Sequence, residues 1–254
     1  MTFSPDMPRP SAPNVTRGAH NPIIVALDIS DARSAVEVAK RLRDQVGGFK
    51  VGLELLMGPG PATVAAVREL GLPVFVDAKL HDIPNTVNKA ARALGAVGAR
   101  WVTAHAGGGA AMLQAAAEGL AEGADGHDAG ILAITVLTSL RDADLAATGV
   151  TGSPGRHVAR LARLAAGSGV EGVVCSVREL GDVHQVAPDL IRVTPGIRLP
   201  GSDAHDQARV DTPDQAIARG ADWLVIGRPI TRASDPVAVV AAFRQAIAAP
   251  HQLT

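Results

Sequence analysis

The chain has 254 residues, 47% of them hydrophobic and 19% charged, with 24 basic side chains against 25 acidic ones. That length suits one large α/β domain with a sizeable core. A net charge of −1 gives no electrostatic case for nucleic acid or an anionic membrane surface, and no run approaches the roughly 18 apolar residues of a spanning helix.

The single cysteine, Cys175, excludes an intramolecular disulfide and a cysteine-based metal cluster. Aromatics at 2% with no Tyr leave no stacking platform for single-stranded nucleic acid. Residues 1–21 carry Pro5, Pro8, Pro10 and Pro13, show no period and lack the apolar core of a secretion signal. They read as a mobile N-terminal tail ahead of one domain, residues 22–254. A cytoplasmic protein is expected.

From Ile23 onward two patterns alternate. Short apolar, β-branched runs predict strands at Ile23–Asp28, Phe49–Leu53, Val74–Lys79, Trp101–His105, Ile131–Thr138, Gly172–Cys175, Ile191–Thr194 and Trp223–Gly227. Between them, stretches of helical period predict helices at Ala32–Gln45, Pro61–Leu70, Thr86–Gly98, Gly109–Gly119 and His157–Gly167, then at Val177–Val186, Thr212–Arg219 and Pro236–Ala248. Glycines at 71, 119 and 220 read as helix ends. Eight strand–helix repeats in a chain of this length predict an α/β fold, a single (β/α)8 TIM barrel. The rival open sheet more often opens on GxGxxG, whereas the first strand here runs into LDISD.

Active sites of such barrels sit at the C-terminal ends of the strands. Polar groups fall there repeatedly: Asp28, Lys50, Asp77, Lys79, His105, Thr138 and Ser139. Asp77 and Lys79 are two apart and share a face of the third strand. A charge inside a barrel needs a partner or a task, and only the mouth accommodates these two. Lys50, Asp77, Lys79 and Asp82 thus offer two ammonium groups and two carboxylates at short range, and opposite charges keep one another ionised. A lysine held beside a carboxylate suits delivery of a proton to a carbanion-like carbon. The alternative is a salt-bridge network that only staples strand 2 to strand 3.

Barrels often hold phosphate with the loops after strands 7 and 8. Strand 7 runs into Pro195-Gly196-Ile197-Arg198, and strand 8 into Gly227-Arg228. Each sets a glycine, open to close backbone approach, beside an arginine with a bidentate fork. The alternative is two arginines on ordinary turns. Between them the polar stretch 201–209, with Gln207, reads as a loop able to close over a ligand.

Taken together, ALD with Asp28, KVG with Lys50, DAKLHDIPNT from Asp77 to Thr86, TAH with His105, VLTS, TPGIR and IGRPI resemble the orotidine 5′-phosphate decarboxylase family over residues 23–240, in order. The resemblance implies a homodimeric barrel with no metal and no organic cofactor, acting on orotidine 5′-monophosphate in pyrimidine synthesis. It implies Lys79 as proton donor to C6 and Asp77 against the departing carboxylate, with Lys50 bridging Asp77 and the ribose and Asp28 holding a ribose hydroxyl. Asp82 and the stretch Ile83, Pro84, Asn85 and Thr86 would reach into the partner's site. Thr138 and Ser139 would meet the base, and Pro195, Arg198, Gln207, Gly227 and Arg228 would line the phosphate end.

Two rivals remain. A magnesium-dependent 3-keto-L-gulonate 6-phosphate decarboxylase shares DxKxxD, but it looks acidic where Lys50 stands, and a lysine repels a metal. A nucleotide-binding barrel without chemistry would not need the whole charge set. A metal cluster from His81, His105, Asp77 and Asp82 is disfavoured by Lys79 in their midst. His105 reads as a packed residue at the mouth, Gly107–Gly109 as a permissive turn, Cys175 as an inert strand residue, and Asp203, His205 and Asp206 as solvated.

Overall fold

The computed structural model describes residues 21–200 and 211–248. Eight parallel strands close in sequence order, each hydrogen-bonded to its neighbours and the eighth to the first. The β1 strand (Ile23–Ala26) is buried throughout. The α1 helix (Ala32–Leu42) follows, its N-terminus capped by Asp31, whose carboxylate accepts from the Ser34 N–H at 3.0 Å. Next come β2 (Gly48–Val51), a five-residue α2 (Leu53–Met57), α3 (Ala62–Arg68) and β3 (Val74–Leu80). The α4 helix (Pro84–Ala96) opens with proline in its first turn, where a missing N–H costs nothing. It leads to β4 (Trp101–His105), a turn of 3-10 helix at 106–108, α5 (Ala110–Ala124) and β5 (Gly130–Ile134).

Beyond β5 lie α6 (Asp142–Ala147), α7 (Pro154–Ala166), β6 (Gly172–Val174), α8 (Leu180–Val186) and β7 (Ile191–Pro195). The chain closes with α9 (Pro213–Ala218), β8 (Trp223–Ile226), the single turn α10 (Arg228–Thr231) and α11 (Pro236–Ala248).

All eight expected strands form, with corrected ends. The second stops at Val51, and Gly52, its backbone still extended, is the N-cap of α2, which begins at Leu53. The fifth stops at Ile134, so Thr138 and Ser139 occupy a turn in which the Leu140 N–H donates to the Leu137 carbonyl at 3.0 Å. Gly119 does not end a helix. It sits within α5 at the contact with α4, where a Cβ would lie 2.1 Å from the Asn88 carbonyl oxygen, and Gly123 makes the same approach to Arg92 one turn later. Small residues there let two helix backbones touch. Gly71 and Gly220 do take positive φ just beyond helix ends.

The barrel interior is packed. Trp101 of β4 and Trp223 of β8 meet edge to face at 5.2 Å near the strand N-termini, and Ile24, Ala26, Phe75, Leu132, Val193 and Val225 fill the space towards the mouth. The same N-terminal end holds two arginine clusters. Arg100 donates both terminal nitrogens to Glu171 at 2.6 Å, and the buried Arg192 donates Nε to Asp222 at 3.1 Å.

Candidate active site

Phe75, Ile134, Val174 and Val225 line a cavity of about 180 Å³ together with Lys50, Asp77, Lys79, Thr138, Cys175 and Pro195. Its walls are apolar, and its charge lies along β2 and β3. Lys50 Nζ stands 3.1 Å from Asp28 Oδ1 and 3.8 Å from Asp77 Oδ2. Lys79 Nζ donates to the same Asp77 Oδ2 at 2.5 Å. Of the two ammonium groups Lys79 is the more exposed, at 34% of its side chain against 11% for Lys50. Lys79 is therefore the ammonium that a ligand entering the mouth meets.

Burial alone would raise the Asp77 pKa. The ammonium groups of Lys50 and Lys79, with hydrogen bonds from Lys79 and Thr103, outweigh it and hold the carboxyl below its ordinary range. His105 goes down, chiefly through burial and then through His81 and Lys79, against the opposing pull of Asp77. It stacks on His81 at 5.3 Å, outside the lysine–carboxylate chain. Burial likewise pushes the Cys175 thiol far up. Cys175 follows the end of β6, so it belongs to the cavity wall rather than to the strand.

The strand that supplies Asp77 and Lys79 is not regular. Its register against β4 shifts between Val76 and Leu80, and Lys79 has φ +51°, a left-handed conformation that costs a residue with a Cβ roughly 1–2 kcal/mol. Simple alternation placed both residues on one side, and they do meet, but across a bulge. The Lys79 N–H donates to Thr103 Oγ1 at 2.9 Å, and that hydroxyl donates to Asp77 Oδ1 at 2.9 Å. Sequence reasoning missed Thr103. Its one signal was a polar residue at an inward position of β4, two before His105.

The other expected residues fall at the same end of the barrel. Asp28 follows β1, and a Cβ on Gly227 would lie 3.1 Å from Asp28 Oδ2, so Gly227 permits that close approach. Arg228 opens α10 and is half-buried. Arg198 is 5% exposed, with Nη1 donating to the Ile197 carbonyl at 2.9 Å. Its N–H meets the Asp211 carbonyl at 3.0 Å, tying the chain beyond β7 to the approach of α9. Asp82, Ile83, Pro84, Asn85 and Thr86 are all exposed on this chain, Ile83 at 66%. Gln207, Asp203, His205 and Asp206 lie outside the described residues, as do residues 1–20 of the expected tail. Among the described residues no group of three or more His, Cys, Asp or Glu could hold a metal ion.

Fold and mouth together define a (β/α)8 enzyme whose buried carboxylate holds a lysine ammonium at the wall of an apolar cavity. Residues 21–243 match the model of the orotidine 5′-phosphate decarboxylase / HUMPS family, and the chain belongs to that family. The chain is 48% identical over 220 residues to the orotidine 5′-phosphate decarboxylase of Paramagnetospirillum magneticum, covering 85% of this chain and 94% of the relative. Identity is 47% over 229 residues to that of Moorella thermoacetica, covering 88% and 91%. A crystal structure of orotidine 5′-phosphate decarboxylase from Lactobacillus acidophilus superposes with a TM-score of 0.79 at 36% identity, over 90% of this chain and 100% of that one.

Proposed function

We propose that this protein decarboxylates orotidine 5′-monophosphate to uridine 5′-monophosphate and CO2, without metal or organic cofactor. The observation that carries the reading is Lys79 Nζ held 2.5 Å from Asp77 on the wall of the cavity. With the pyrimidine in that cavity, the carboxylate at C6 would face Asp77. Breaking the C6–carboxylate bond leaves its electron pair on C6, and Lys79 gives C6 its proton as CO2 departs. Asp77 meets the substrate ionised, because the ammonium groups of Lys50 and Lys79 hold its carboxyl below the ordinary range, and Lys50 remains as its cation once Lys79 has given up the proton. Lys50, pinned between Asp28 and Asp77, would hold the ribose side of the ligand.

The phosphate end is proposed at Pro195, Arg198, Gln207, Gly227 and Arg228, and the base end at Thr138 and Ser139. Binding energy gathered at the phosphate, remote from the reacting carbon, raises kcat where it drives closure of the site. Lys50 also weighs against the magnesium-dependent rival, since its ammonium occupies the position between two carboxylates that a cation would take.

A homodimer is part of the proposal. A row of exposed residues from Asp82 to Thr86 that includes the apolar Ile83 is suited to burial against a second copy, which would take Asp82 and Thr86 into its own site. No described helix is long and apolar enough to cross a membrane, and a cytoplasmic location belongs to the same reading, as does one catalytic domain over residues 22–254 behind a tail of 1–21.

The test is the ultraviolet absorbance of orotidine 5′-monophosphate with purified protein in excess EDTA. Loss of the substrate band is the expected result. A folded protein that leaves the band unchanged overturns the reading. For the shared site, mixing Asp82→Ala and Lys79→Ala proteins is expected to regain activity in hybrid dimers, and no regain would mean that each chain works alone.

A further inference from the structure

Three consecutive residues of β3, Asp77, Ala78 and Lys79, lie opposite a single residue of β4, because Val76 pairs with Val102 and Leu80 with Ala104. That single residue is Thr103, fully buried and not part of the cavity lining. A bulge of this size deprives β3 of a regular ladder partner, and a buried N–H without an acceptor is costly. The Thr103 hydroxyl supplies the acceptor, taking the Lys79 N–H at 2.9 Å. Its one proton goes to Asp77 Oδ1, also at 2.9 Å. A hydroxyl has one proton and two lone pairs, so both bonds form at once and each orients the other.

The Asp77 carboxylate is thereby divided between two tasks. Oδ1 is anchored to β4, and Oδ2 alone faces the ammonium groups of Lys79 and Lys50. The left-handed backbone of Lys79 is fixed by the same oxygen that fixes its ionic partner. We propose that Thr103 is a positioning residue of this site: its hydroxyl locks the Asp77 carboxylate and the Lys79 backbone to one another, and so sets where the Lys79 ammonium stands. This role rests on the decarboxylase reading above. Thr103 touches no ligand and acts through Asp77 and Lys79.

Steady-state kinetics on orotidine 5′-monophosphate, with binding of uridine 5′-monophosphate measured in parallel, test it in wild type, Thr103→Val and Thr103→Ser. Wild-type turnover decides the decarboxylase reading, and the ratios between variants decide Thr103. Thr103→Val keeps the shape without the hydroxyl and is expected to lose on the order of 10²-fold in kcat, the scale of a small misplacement of a reacting group, with product affinity nearly unchanged. Thr103→Ser keeps the hydroxyl and is expected to restore most of that loss. A Val variant with wild-type kcat, or a Ser variant as slow as Val, overturns the role. If the Val variant does not fold, Thr103→Ala against Thr103→Ser isolates the hydroxyl oxygen with the same two outcomes. A crystal structure of Thr103→Val adds a readout independent of turnover: Lys79 is expected to leave the left-handed region, and an unmoved Lys79 contradicts the proposal.

Discussion

The two ends of this barrel use the same elementary interaction differently. At the strand N-termini the cations are arginines. Arg100 makes a bidentate pair with Glu171, lies over the Trp101 ring at 4.5 Å and reaches Asp128 at 3.1 Å. Trp101 Nε1 donates to the same Glu171 at 3.2 Å. At the strand C-termini the cations paired with Asp28 and Asp77 are lysines, Lys79 on strained backbone, and Lys50 and Lys79 share a single carboxylate oxygen of Asp77. Arginine keeps its proton at every accessible pH and fits a carboxylate with a rigid fork, whereas lysine is a point charge on a flexible stem that can hand a proton over. The N-terminal end is built to hold still, and the mouth is built to react.

Variants that exchange these roles break or sharpen that contrast. Lys79→Ala is expected to reduce turnover at least ~10³-fold, the scale of a lost general acid, while uridine 5′-monophosphate still binds by calorimetry. Arg228→Ala is expected to lower kcat/KM by about 3–5 kcal/mol in activation free energy, the cost of leaving a bound charge unpaired. Kinetics at saturating substrate separate the causes, since a loss confined to KM would remove the argument that the phosphate grip drives closure. At the other end, Glu171→Gln leaves the Arg100 guanidinium half-satisfied and is expected to cost about 2–4 kcal/mol of stability in urea titrations, with kcat/KM unchanged in the folded protein.

The smallest expected effect is on pH. Because His105 is held below its ordinary 6.5, the unfolded chain takes the proton first, and native stability contributed there is lost as pH falls below 6.5. Thermal unfolding at pH 5 is expected below that at pH 7 from this group, and His105→Gln is expected to flatten that slope. Asp77 acts only in stronger acid. Its contribution is complete above 3.8 and lost as pH falls through its lower folded value.

Much of this was legible in the sequence because the signals are local. A run such as IIVA is β-branched and apolar, and a charge at its end marks the mouth. DAKLHDIPNT carries its chemistry in ten consecutive residues. What escaped depends on contacts distant in sequence. Gly119 looks like a helix end until Asn88, on another helix, is seen against it. VLT continues the β-branched pattern of β5, yet the strand stops at Ile134 because β6 is short and offers its last partner at Val174. The short helices at Leu53–Met57, Asp142–Ala147 and Arg228–Thr231 span too few residues to show a period. Most consequentially, alternation along β3 assumes a regular strand and cannot reveal that three of its residues face Thr103 alone.

The contrast between the two ends is tested most directly by Lys79→Gly. Glycine accepts positive φ without penalty, so this change removes the ammonium and relieves the backbone together. If the mouth is held for chemistry at a cost in stability, the variant has no decarboxylase activity and unfolds within ~3 °C of wild type or above it. A variant that unfolds as early as Glu171→Gln would contradict the account and make the Lys79–Asp77 pair a structural staple like those at the barrel's other end.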